Sequence, residues 1–119
     1  MSALPENPGC IFCRIVAGEL PSRKVYETET LLAFHDVAPK APTHILVIPK
    51  KHITRLADME HADATLLGEL MLAAGAVARQ EGVGDGFRLV VNNGAEAGQT
   101  VFHLHIHLLA GRRMTWPPG

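Results

Sequence analysis

With 119 residues, 47% of them hydrophobic and 19% charged, the chain has the size and composition of one globular domain able to bury a core without disulfides. Its formal net charge of -1 gives no electrostatic basis for general binding to nucleic acid or to a membrane surface. No apolar run approaches a membrane span, and Met1-Ser2-Ala3-Leu4-Pro5-Glu6 lacks the basic and apolar regions of a signal peptide, so a cytoplasmic protein is expected.

Residues 1–9 read as irregular, because Pro5, Pro8 and Gly9 interrupt any regular element. Cys10-Ile11-Phe12-Cys13 follows and holds both cysteines. Two thiolates at this spacing can grip one metal ion; a redox pair or two inert buried thiols fit the same spacing. A short helix is predicted from Phe12 to Gly18. Val25-Tyr26-Glu27 and Leu31 to His35 read as strands around a polar turn at Thr28-Glu29-Thr30. Asp36, at a strand end, can accept hydrogen bonds from two vicinal hydroxyls, or can simply form a turn.

Pro39 and Pro42 mark a loop before the β-branched strand His44-Ile45-Leu46-Val47-Ile48, which stops at Pro49. His52 lies just beyond, at a corner from which its ring can turn towards the N-terminal segment. One helical turn is predicted over 54–59 and a longer helix over 63–80. In the latter, Leu66, Leu67, Leu70, Met71, Ala74, Val77 and Ala78 form a core stripe, with Gly82 closing its C-terminus. Phe87 to Val91 is the next strand. The glycine-bearing loop from Asn92 to Thr100 can bring backbone N–H groups to an anion, or can be a plain polar hairpin loop. It leads into His103-Leu104-His105-Ile106-His107-Leu108-Leu109. In a strand, all three rings share one face, and Leu104, Ile106 and Leu108 enter a core on the other. A metal site and a nucleophilic histidine are the two chemistries this pattern suggests. The tail from Arg112 to Gly119 carries the single tryptophan, Trp116, which is expected to pack.

The histidine run resembles the signature of the histidine triad (HIT) family of nucleotide hydrolases and transferases. Cys10 to Cys13, Leu32 to Val37, Pro42 to Ile53 and Ala97 to Phe102 also look like family segments, so the likeness runs from residue 9 to the end. The ending Trp116-Pro117-Pro118-Gly119 is similar to that of the Hint branch, the histidine triad nucleotide-binding proteins. The resemblance implies a single α+β domain over 1–119, with an antiparallel sheet packed with one long and one short helix. It also implies a homodimer, joined through the helix at 63–80 and the strand at 87–91, with the tail at 110–119 contributing to dimer and active site.

The implied activity is hydrolysis of purine nucleoside phosphoramidates, such as conjugates of AMP or GMP, through a nucleotidyl-histidine on His105. His107 is implied to contact the phosphate, His44 to support the group, and Thr100, where relatives often have serine, to donate to the phosphate or leaving group. Asp36 is implied to bind the ribose hydroxyls and Val37 the nucleoside. Asn92, Gly98 and Gln99 are implied to line the phosphate site, and Trp116 to reach the partner's site. Cys10, Cys13, His52 and His103 match a structural zinc site of bacterial-type members, and no organic cofactor is implied. Other readings are a dinucleoside polyphosphate hydrolase, as in the Fhit branch, a nucleotide-binding adaptor with vestigial catalysis, and a catalytic metal on the triad itself.

Overall fold

The computed structural model describes residues 5–119, so the reading of the first four residues lies outside the described chain. Helix α1 is Ile11–Val16, and strands β1, β2 and β3 are Lys24–Glu27, Leu31–His35 and Thr43–Pro49. Two 3-10 turns, Leu56–Asp58 and His61–Asp63, lead into helix α2, Ala64–Gln80. Strand β4, Phe87–Val90, a 3-10 turn at Ala95–Ala97 and strand β5, Ile106–Ala110, complete the chain.

The five strands form one antiparallel sheet in the order β1-β2-β3-β5-β4. Continuous apolar runs in β2 and β3 reflect cover on both faces, since each face needs its own alternate residues buried. Leu31, Ala33, Ile45, Val47, Leu104, Ile106 and Leu108 face α2 and meet its Leu70, Ala73, Ala74, Val77 and Ala78. On the other face Leu32, Phe34, Leu46 and Ile48 meet Cys10, Phe12, Cys13 and Ile15 of the N-terminal segment. Each such aliphatic side chain contributes about 1.5–3 kcal/mol by leaving water. Helix α2 ends where Gly82 takes a φ of +77°, and the Val83 and Gly82 N–H groups donate back to the Ala78 and Arg79 carbonyls. Gly111, at φ +90°, turns the chain after β5 against Pro42; a Cβ there would lie 2.8 Å from the proline Cβ.

Three expectations are corrected. Strand β5 begins at Ile106, so His103 and His105 precede it. The approaching chain finds partners outside the ladder: the Leu104 N–H donates to the Ile53 carbonyl at 2.6 Å. The facial separation nevertheless persists, with Leu104, Ile106 and Leu108 on the α2 side and the rings of His103 and His105 against Phe12. Met71 is not core: it is 47% exposed, next to Leu72 at 77%, because α2 turns that side outward. Trp116, expected to pack, is 81% exposed in the single chain.

Candidate active site and metal centre

The sheet face carrying α1 holds two adjoining histidine clusters. In the first, the Lys40 backbone N–H donates to His44 Nδ1 at 3.0 Å, which leaves the His44 proton on Nε2. That nitrogen lies 2.9 Å from His107 Nδ1, to which it donates, and 3.4 Å from Asp36 Oδ2. With Nδ1 accepting, His107 carries its own proton on Nε2, a buried atom with no partner among the described residues. An orphaned buried donor beside two other imidazoles suits an anionic oxygen of a ligand. Burial pushes the His107 pKa down to about 4, helped by charge on His105 and His44, so the ring is a neutral donor at neutral pH. Burial also lowers the His44 pKa, against the pull of Asp36.

His105 sits beside this pair, with ring centroids 4.9 Å from His107. Its Nδ1–H donates to the His103 carbonyl at 2.7 Å. The lone pair is therefore on Nε2, which has the form a nucleophile requires.

The second cluster joins three separate segments. His103 Nε2–H donates to the Pro49 carbonyl at 2.8 Å, which turns the Nδ1 lone pair towards the cysteines. Nδ1 of His103 is 3.3 Å from Cys10 Sγ, 3.5 Å from Cys13 Sγ and 3.2 Å from His52 Nδ1. His52 Nδ1 is 3.2 Å from Cys13 Sγ. A tetrahedron built on usual zinc bond lengths has nitrogen–nitrogen edges of about 3.3 Å and sulfur–nitrogen edges of about 3.6 Å. The donor set fits zinc in chemistry and size, and all four ligand atoms lie within 4.8 Å of one another. Burial, with Cys10 adding to it, pushes the Cys13 thiol up to about 11, and burial, with charge on His52 and His105, pushes His103 down to about 4. A divalent cation inverts that preference for the thiol by stabilising the thiolate.

The remaining predicted residues are placed less uniformly. Val37 is fully exposed, and Asp36 Oδ1 accepts the Ala38 N–H at 2.8 Å, so one carboxylate oxygen already serves a turn. Gln99 is buried; its side chain donates to the Thr54 and Val101 carbonyls and accepts the Gly94 N–H at 2.8 Å. These bonds brace the loop that carries the left-handed Gly98, beside which Asn92 lies. Thr100 lines an open cleft with Gly9, Cys10, Ile11, His52 and Phe102, on the metal-centre side. The predicted set omits three participants: Lys40 and Pro49, which act through backbone groups, and Phe12. Phe12's ring stands edge-on to both His103 and His105, at 5.8 and 5.3 Å. Only its place between the two cysteines hinted at this.

A model of the HIT domain matches residues 17–114. The chain is 55% identical over 109 residues to an uncharacterised HIT-like protein of Synechocystis sp., covering 92% of this chain and 96% of that one. It is 51% identical over 118 residues to a 14 kDa zinc-binding protein of Zea mays, covering 98% of this chain and 91% of that one. The crystal structure of a HIT family hydrolase from Legionella pneumophila is 49% identical, with a TM-score of 0.90 over 92% of this chain and 99% of that one.

Proposed function

The chain belongs to the HIT domain family and has its α+β fold, and from this we propose that it hydrolyses purine nucleoside phosphoramidates through a covalent nucleotidyl-histidine on His105. The observation that carries the reading is the 2.7 Å bond from His105 Nδ1–H to the His103 carbonyl, which leaves Nε2 free to attack.

In the first step His105 Nε2 forms a bond to the α-phosphorus, the phosphorus–nitrogen bond breaks, and the amine leaves with a proton from solvent. In the second, water attacks the phosphorus, the bond to Nε2 breaks, and the nucleoside monophosphate leaves. The two steps together add one water across the phosphorus–nitrogen bond. The orphaned Nε2–H of His107 supports a role as donor to a phosphoryl oxygen, where negative charge builds in both transition states. His44 holds that donor in its tautomer, and Asp36 keeps one oxygen for the ribose hydroxyls. Thr100 donates to the leaving group, Val37 and Trp116 flank the bound conjugate, and the Asn92–Gly98 loop borders the phosphate.

Zinc held by Cys10, Cys13, His52 and His103 is structural in this reading: four protein ligands leave no position for water or substrate. The protein acts as a cytoplasmic homodimer. The outward Met71 and Leu72 on α2, the exposed Trp116 and the unpaired outer edge of β4 supply apolar surface and strand edge for a second copy. Among the described residues no helix is long and apolar enough to cross a membrane.

The test is intact-protein mass spectrometry after brief mixing with adenosine 5′-phosphoramidate, with steady-state turnover assayed in parallel. Wild type should turn over and show one transient nucleotidyl adduct, and His105→Ala neither. Turnover that survives His105→Ala refutes the nucleophile.

A further inference from the structure

The two clusters share His103. Its ring nitrogen faces Cys10, Cys13 and His52, while its own carbonyl oxygen accepts the His105 Nδ1–H. The peptide carrying that carbonyl is fixed on either side, by the His103 Nε2–H bond to Pro49 and the Leu104 N–H bond to Ile53. A second contact runs in parallel. Phe12 lies between the two cysteines, on a backbone shaped by the Cys13 N–H bond to Cys10 Sγ at 3.4 Å. Its ring packs edge-on to His105 at an interplanar angle of 87° and to His103 at 71°. Phe34, 5.5 Å behind it, stops it from turning away. The first route passes from His103 directly to the His105 ring, and the second through Phe12 alone.

We infer that Phe12 and the His103 carbonyl are positioning groups through which the state of the Cys10–Cys13–His52–His103 centre sets the tautomer and orientation of His105. The inference rests on the nucleophile and zinc readings above. Its physical basis is that the carbonyl accepts the ring's Nδ1–H while the aromatic edge packs against the same ring. When the four ligands are not drawn together, His103 and the Cys10–Cys13 knuckle lose a common anchor, and the ring gains rotational and tautomeric freedom. Outer partners that orient a reacting imidazole are typically worth about 10–100-fold. A metal centre with no open position then governs reactivity next door without contacting the substrate.

The experiment uses full-length protein labelled with ¹⁵N at histidine, loaded with one equivalent of zinc or stripped with a chelator. Imidazole ¹⁵N shifts report the His105 tautomer, and kinetics with adenosine 5′-phosphoramidate report kcat and KM separately. The loaded protein should show His105 as a single Nδ1–H tautomer. The stripped protein should show averaged His105 signals and a kcat lower by about tenfold or more, with KM within about threefold. A stripped, folded protein with unchanged His105 signals and kcat overturns the inference, as does a protein that takes up no zinc. If stripping unfolds the chain, zinc-loaded Phe12→Leu decides. It should keep one zinc per chain yet lose the single tautomer and kcat, and wild-type values for both overturn the inference. Turnover retained by His105→Ala overturns the nucleophile reading itself. Loss of turnover there, with His105 indifferent to zinc, overturns the coupling alone.

Discussion

Replacing His44 by leucine removes the element that sets the His107 tautomer while keeping an apolar side chain in a site only 4% exposed. Two hydrogen bonds disappear, from the Lys40 N–H at 3.0 Å and to His107 Nδ1 at 2.9 Å. At about 1 kcal/mol net each, the stability loss is about 2 kcal/mol. For a domain of this size that lowers Tm by roughly 8 °C. The catalytic loss is larger. His107 Nδ1 no longer has a donor opposite it, so the ring can place its proton there and present a lone pair where the phosphoryl oxygen needs a hydrogen. Losing such a donor costs on the order of 100-fold in kcat, with less effect on KM. His44→Gln keeps an N–H near the position of Nε2 and should recover most of kcat. Steady-state kinetics and thermal unfolding on the same three proteins make the comparison. If His44→Leu lowers Tm yet keeps wild-type kcat, His44 merely fills space and the relay is wrong.

Three other perturbations follow from the geometry. His107 is held near 4 in the fold against an ordinary 6.5; as pH falls below 6.5 the unfolded chain takes the proton first. Stability present above that pH should therefore drain away down to about 4, by roughly 3 kcal/mol, and a denaturation series on His107→Gln should show a shallower slope than wild type. Gly111→Ala should destabilise by about 1–3 kcal/mol, because φ is +90° and the new Cβ meets the Pro42 ring at 2.8 Å; an unchanged urea midpoint would sink that account. Purified protein should carry one zinc per chain by metal analysis, and Cys10→Ser should lose it together with much of its thermal stability, since binding energy at a closed site is folding energy.

How far the sequence could be read depended on whether a residue acts through its own pattern or through a distant partner. Strands β2 and β3 and helix α2 were legible because β-branched runs and a 3.6-residue stripe are local signals. The four Cys and His zinc candidates came from resemblance, and the fold brings their side-chain atoms within 4.8 Å of one another. Nothing local to Gln99 reveals that its side-chain amide donates to the Thr54 carbonyl, 45 positions away. The late start of β5 was illegible for the same reason, since Pro49 and Ile53 compete for His103 and Leu104 from across the chain. Met71 and Trp116 point outward, and no pattern in the sequence separates these apolar residues from those that enter the core.

The His44–His107 pair straddles β3 and β5, where Leu46 stands opposite His107 and His44 opposite Leu109. These strands are separated in sequence by the whole of α2 and β4, so their union is among the most non-local in the molecule. A slip of one position would turn His107 into the α2 core and bring Leu108 to its place. Under the proposed function, catalysis therefore doubles as a clock for folding. During recovery from denaturant, turnover should return only when β3 and β5 lock into the correct alignment, after the helical signal of α2 has already appeared.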